Sequence, residues 1–578
     1  MRSKKNFDDI LKEEAKKSDP IANQGIPLTP DSNKKDYSVV TKRGIKYTEI
    51  HNDLIRDTSA DDSVDSNIIP DRVVEIIQER PNSNRVTRYN LTDAEAKKLS
   101  NDSRILSCKY HNVIKPTSDK YQSGNFDRDA DESSENQNWG LLRHTSLTNN
   151  YGTSSSDPGG TYDYVLDGTG VDIVVIDSGI EANHPEWEDA NGVTRLKQID
   201  WFTAAGVSGT WPNNMYEDED GHGTHVTSTV AGKYFGWAKN ADIYSMRLLG
   251  GTLTNSSDWN GNGDSIYDIL KLWHINKNNP NHTLWTGKFR PTVVNMSFGY
   301  SMWINIDADP NYSTTFGLSD VYAENYRGTS TTWRQKLSEM NAKYTSPYGY
   351  TSASQQYRGL GWSYDSDIAA WDDLADATTA TGPGILVCKS AGNSGNYIDK
   401  PSGSDQENEI WILNTAKTSY YSFDCMKGQG ADDRFCVGAI DSTSYDANTD
   451  RKTDFSRTGP GVNIWMCGEN IIGACSNTND MSYYNPGNYY YNNSYKQVKI
   501  GGTSMAAPQV CGMSAVVLQA HPDWTPKQVV SWLRDKATAT INEGTGSDFT
   551  SSYGLWTSDN KMGYMPMHGR KPWNYGSS

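Results

Sequence analysis

Short apolar runs recur along the chain from about Trp139 onward, and stretches with helical spacing separate them. Val171 to Ile176, Thr292 to Met296, Ile385 to Val387 and Phe435 to Ile440 carry few polar positions. A strand reads this way when both faces of its pleat meet apolar layers. Ser265 to Trp273 and Asp367 to Thr378 repeat apolar positions three and four apart, as helices lying on such a sheet do. The alternation predicts an α/β fold class, a mostly parallel central sheet covered by helices.

The first part of the chain has a different texture. Residues 1–66 are rich in Asp, Lys, Asn and Ser, which predicts a polar, largely disordered arm. Phe7, Ile10, Leu11 and Ala15 share one helical face there, read as a fraying helix with docking on a partner as the alternative. Residues 67–116 then hold the strand-like Val73–Ile77, the stretch Leu91–Leu99 with Thr92 and Glu95 at capping-box spacing, and the strand-like Arg104–Cys108. They predict a small α+β module. A Ser, Asp, Gly and Asn-rich linker covers 117–136, the main domain 137–565, and a tail 566–578. Two stretches inside the main domain, about 300–366 and 396–433, exceed ordinary loop length and read as insertions.

Composition narrows the function classes. The net charge of -17 comes without a dense Lys/Arg cluster, so no nucleic-acid partner is expected. No apolar run approaches the roughly 20 residues of a membrane span, so no membrane partner is expected either. Met1 to Asp9 lacks the apolar core of a secretory signal, which makes a cytoplasmic or virion-associated location the expectation. The seven cysteines are an odd set. Cys388 and Cys436 sit in apolar runs and read as buried thiols, an expectation that outweighs a Cys425–Cys436 bridge. No spacing fits a zinc site.

Four short motifs carry candidate chemistry. Asp177 closes an apolar strand in Ile176-Asp177-Ser178-Gly179, at the carboxyl end where functional groups of parallel sheets collect. His222 stands between glycines in Asp220-Gly221-His222-Gly223-Thr224-His225, small neighbours that would let a peptide approach. His225 reads as structural, because two histidines three apart lack the Glu and third ligand of a zinc peptidase. The neighbouring acidic run Glu217-Asp218-Glu219-Asp220 reads as a solvated loop. Ser504 lies in Gly502-Thr503-Ser504-Met505-Ala506-Ala507-Pro508, opening a helix, Met505 to Leu518, that is apolar nearly all round. The positive end of that helix favours negative charge near the serine. Asn393, in Ala391-Gly392-Asn393, follows a strand directly, and its amide is either an oxyanion donor or a turn residue.

Asp-Ser-Gly, His-Gly-Thr-His, Asn-Met-Ser-Phe-Gly, Ala-Gly-Asn and Gly-Thr-Ser-Met-Ala-Ala-Pro occur here in the order found in subtilisin-like serine peptidases, which residues 139–563 resemble. The resemblance implies a three-layer subtilisin-like fold and a serine endopeptidase working through an acyl-enzyme on Ser504. It makes His222 the general base, Asp177 its orienting carboxylate and Asn393 an oxyanion donor. Ser297, Phe298 and Gly299 become the substrate-pairing strand and the wall of the primary specificity pocket, with Asp258–Gly263 opposite. Phe298 then favours apolar side chains.

It also implies a polypeptide substrate and no required cofactor or catalytic metal. Structural calcium stays open, with Glu186 where some members carry a calcium-binding carboxylate. Residues 68–115 resemble, more weakly, the family's inhibitory propeptide. The expectation is an autoprocessed precursor whose own N-terminal module inhibits it, cut between about Lys115 and Asn138. The insertion near 300–366 is expected either to narrow the cleft, giving a restricted processing enzyme, or to be a surface excursion. The alternative function is a structural or assembly subunit, for instance of a virus particle, with proteolysis secondary or lost. An α/β-hydrolase esterase is set aside because its Gly-x-Ser-x-Gly elbow is missing.

Overall fold

The computed structural model describes residues 34–566, apart from 56–67, 79–84, 111–119, 153–159, 250–264, 302–320, 333–360, 414–419, 543–553 and several stretches of one to four residues. The helical face of Phe7, Ile10, Leu11 and Ala15, and the strand suggested at Asp258–Gly263, lie outside the described residues. The chain divides into two compact units between Asp119 and Lys120.

The first unit contains β1 (Lys34–Thr41), α1 (Tyr47–Ile55), β2 (Ile76–Gln78), β3 (Val86–Thr92), α2 (Asp93–Leu99) and β4 (Ile105–Tyr110). Its antiparallel sheet has the order β2-β3-β1-β4. Thr92 caps α2 through a reciprocal box with Glu95, as their spacing predicts. Residues 34–55 correct the expectation of a disordered arm, since β1 occupies the centre of this sheet. Only alternate positions of β1, among them Tyr37 and Val39, face the core, which hides the strand in a polar composition.

The second unit opens with β5 (Lys120–Gly124), within the stretch whose composition reads as a linker. After α3 (Trp139–Arg143), β6 (Gly160–Tyr164) pairs antiparallel with β5. Next come β7 (Asp172–Asp177), α4 (Trp201–Ala205), α5 (His222–Ala231), β8 (Asp242–Arg247), α6 (Ile266–Lys277) and β9 (Thr292–Met296). Four short strands follow, β10 (Tyr300–Ser301), β11 (Val321–Tyr326), β12 (Thr329–Thr332) and β13 (Gly361–Trp362), then α7 (Asp365–Ala375) and β14 (Leu386–Ser390). The unit continues through β15 (Asn408–Leu413), β16 (Tyr420–Cys425), β17 (Arg434–Ile440), β18 (Ile464–Cys467), β19 (Ile471–Cys475), β20 (Gly487–Asn488) and β21 (Lys496–Ile500), and then α8 (Thr503–Ala520) and α9 (Pro526–Lys536).

Six strands form a wholly parallel sheet, in the order β18-β17-β14-β9-β7-β8. The strand pleat sorts β7 between two cores. Ile173 and Val175 pack with α5 and α8 on one face, while Val174 and Ile176 pack with α4, α6 and α7 on the other. This is the α/β arrangement, a parallel sheet covered by helices, that the apolar runs predict. The two insertions join through β11 and β15 into one antiparallel sheet, β12-β11-β15-β16, a partnership their sequences do not announce. No helix among the described residues is long and apolar enough to cross a membrane. Cys388 and Cys436 are buried free thiols, as expected.

Candidate active site

Parallel strands deliver their carboxyl ends to one edge of a sheet, and Asp177 ends β7 there. It is buried, and its Oδ1 accepts hydrogen bonds from His222 Nδ1 and from the Ser178 backbone N–H, both at 2.8 Å. Asp177 Oδ2 has no hydrogen-bond partner among the described residues. Burial pushes the His222 imidazole down, but the Asp177 charge and hydrogen bond, with Asp220 and Asp218 behind them, outweigh it and hold His222 at about 9.

His222 is the first residue of α5, and Asp218 organises the start of that helix. Asp218 is fully buried and accepts from Gly221 N–H, from Thr224 N–H and hydroxyl, and from the Ser178 hydroxyl. Gly221, with φ +89°, cannot cap the helix with a side chain, and the Asp218 carboxylate serves instead. The reading of residues 217–220 as a solvated loop is therefore wrong for Asp218. Its signal in the sequence is a carboxylate just ahead of a glycine-led helix. The glycine after His222 also has a different cause from the expected one. A Cβ on Gly223 would stand 2.2 Å from the Gly179 carbonyl oxygen, so close packing of two backbones demands the glycine. His225 is buried with Nε2 3.0 Å from the Ile471 carbonyl, a structural role as predicted.

Ser504 lies in the first turn of α8, a helix buried from Met505 to Leu518. Its hydroxyl donates to the Ser297 carbonyl at 3.0 Å, and no hydrogen bond joins it to His222. Asn393 is fixed from one side only. Its Oδ1 accepts from Thr503 N–H and Oγ1, both at 2.8 Å, which leaves the Nδ2 hydrogens without a protein partner among the described residues. Gly392, with φ +103°, turns the chain out of β14 to set this amide at the head of α8. Ser297 is buried, Phe298 is half-buried and Gly299 is exposed at the end of β9. The fold thus brings Ser504, Asn393 and Ser297 together, and Asp177 with His222.

Glu186 tests the calcium expectation. It is fully buried, and its oxygens accept from Tyr489 Oη at 2.7 Å and from the N–H groups of Tyr234 and Phe235 at 3.2 and 3.3 Å. Donors crowd a carboxylate that would have to face a cation, so these residues do not fit a calcium cage. Among the described residues no group of three or more His, Cys, Asp or Glu could hold a metal ion.

The sequence matches the subtilase family profile over residues 168–555. An extracellular serine proteinase of Thermus sp. (strain Rt41A) is 23% identical over 387 residues, covering 67% of this chain and 60% of that protein. A subtilisin-like protease of Coccidioides posadasii (strain C735) is 34% identical over 239 residues, covering 40% of this chain and 46% of the relative. The chain thus spans less than two thirds of either relative's length. A solved structure described as a cold adapted subtilisin-like serine proteinase aligns with a TM-score of 0.37 at 20% identity, covering 72% of this chain and 97% of that one.

Proposed function

The chain belongs to the subtilase family, and from that premise we propose that it is a serine endopeptidase in which Ser504 is the nucleophile. The observation that carries this reading is the 2.8 Å bond from His222 to Asp177, a buried carboxylate at the carboxyl end of β7. A carboxylate so placed fixes the imidazole tautomer with Nε2 as the acceptor, and it stabilises the imidazolium once a proton arrives.

In this reading an extended substrate donates a backbone N–H to the Ser297 carbonyl, the position now taken by the Ser504 hydroxyl. The displaced hydroxyl turns to His222 Nε2, gives up its proton and attacks the scissile carbonyl. The negative oxygen of the tetrahedral species meets the Asn393 Nδ2 hydrogens and the Ser504 N–H at the head of α8. His222 then protonates the departing amine. Water, deprotonated by the same imidazole, releases the acyl group and restores Ser504. No metal or cofactor enters these steps.

The first unit is read as an inhibitory module of the precursor, supported by its small α+β fold and its place ahead of the peptidase unit. Restriction to a few processing sites is supported by the insertion sheet, whose strands leave the chain soon after Gly299 and Asn393. The scaffold alternative draws no support from the relatives. A fluorophosphonate should label the wild-type protein on Ser504 and leave Ser504→Ala unlabelled, with peptide hydrolysis lost in step. Labelling that survives Ser504→Ala removes the assignment.

A further inference from the structure

Strand β14 places a lysine where its neighbours are apolar. Lys389 points to the same face as Val387, into the layer of α6 and α7, and only 2% of it is exposed. Among the described residues its ammonium has no hydrogen-bond partner. Of the groups in electrostatic reach, the Cys436 thiol on β17 is pushed up to about 12 by burial and is neutral near pH 7, Arg457 is a cation, and Asp367 on α7 and Asp177 on β7 are acids that favour the ammonium. Burial pulls Lys389 down to about 8, so it remains mostly cationic near pH 7.

A lone buried ammonium is costly unless something in its surroundings compensates it. On one side of it lies the chain just after β9, Phe298 and Gly299. Lys389 Nζ stands 4.8 Å from the centre of the Phe298 ring, a cation–π contact that offsets part of the cost. It also lies 3.5 Å from the point a Cβ on Gly299 would occupy. Gly299 is exposed and puts no side chain over that point.

We propose that Lys389 makes the primary specificity pocket select an acidic side chain, aspartate or glutamate, on the residue whose carbonyl Ser504 attacks. The proposal rests on the peptidase reading above and deepens it. A substrate carboxylate forms with the ammonium the charge-assisted hydrogen bond that neither Asp367 nor Asp177 makes, in a desolvated setting. It also reverses the apolar preference that Phe298 alone suggests.

The test uses the full chain, a fluorophosphonate to count active sites, and matched peptides differing only at that residue. The wild type should cleave the Glu or Asp peptide with kcat/KM about 100-fold above the Leu peptide. Lys389→Met should reverse that order, and Lys389→Arg should keep it. The Glu-to-Leu ratio, from which His222 cancels, should fall as the pH passes about 8. A labelled wild type that prefers Leu overturns the proposal and leaves the peptidase reading standing, whether or not Lys389→Met folds. An acid preference unchanged in Lys389→Met likewise overturns it, since Lys389 is then only structural. A wild type that neither labels nor cleaves overturns both readings.

Discussion

Ser297 and Ser504 exchange hydrogen bonds: the Ser297 hydroxyl donates to the Ser504 carbonyl, and the Ser504 hydroxyl donates to the Ser297 carbonyl, each at 3.0 Å. The first bond answers a defect in α8. Pro508 lies four residues beyond Ser504 and has no N–H to offer its carbonyl, so Ser297 provides the missing donor. Ser504 is thereby tied to the residue that follows β9.

Replacing Ser297 with Ala should therefore lower stability by about 1–3 kcal/mol, because it strands a part-buried carbonyl and removes the acceptor of Asn295 Nδ2. Denaturant unfolding in a Ser504→Ala background, where self-digestion cannot interfere, reads the loss. In the active protein kcat should fall as well, since the first turn of α8 loses an anchor. An unchanged midpoint would show that the Ser504 carbonyl finds another donor.

The pH profile should be displaced upward. Only neutral His222 can take the Ser504 proton, so activity grows as protons leave, and a value of about 9 puts that rise above the ordinary histidine range. Stability should run the other way. A raised folded value means that the His222–Asp177 contribution is complete below the unfolded value of about 6.5 and is lost as the pH climbs through about 9. The expected result is kcat/KM rising between pH 7 and 9 while the thermal midpoint drifts down. Asp177→Asn should bring the inflection back toward 6.5 and cut kcat about 10⁴-fold, the size of loss expected when the orienting carboxylate of a triad is neutralised. A wild-type inflection at or below 6.5 would contradict this electrostatic account.

What the sequence discloses follows what is local. Asp177 is legible because it ends a short apolar run and Asn393 because it follows one, the pattern of a strand buried on both faces. Ser504 was legible because small residues and an apolar helix surround it. Asp218 was not, because its partners are N–H groups and hydroxyls that a composition of consecutive acids conceals. The strand β5 escaped for a related reason: Lys120 to Gly124 is polar and finds its partner about forty residues onward, in β6. The joining of β11 to β15 is more remote still, and Lys389 looks like any strand-end lysine until the fold removes its water.

Asp218 should be expensive to remove. Asp218→Ala leaves the N–H groups of Gly221 and Thr224 and two hydroxyls without their acceptor, a loss of about 2–4 kcal/mol by unfolding. Because α5 begins at His222, turnover should drop further than stability alone explains, with KM little changed. Asp218→Asn offers N–H hydrogens where donors already point and should rescue little. If both variants unfold like the wild type, the buried carboxylate is not what sets the start of α5.

The precursor reading makes a positional prediction. Cleavage after Gly124 would remove β5 from its pairing with β6, whereas cleavage before Lys120 leaves the second unit whole. The first unit ends its sheet with β4 at Tyr110, so a cut that spares both units falls within residues 111–119. This overlaps the early end of the range expected from sequence, which begins at about Lys115, and extends a few residues ahead of it. Intact-mass measurement of the purified wild type should find a mature chain beginning between residues 112 and 120, and Ser504→Ala should stay full length because the nucleophile that makes the cut is gone. Adding active wild type to Ser504→Ala distinguishes the route: processing that appears only then is intermolecular. A wild type that remains full length while hydrolysing peptides at its plateau rate would show that the first unit is neither removed nor inhibitory.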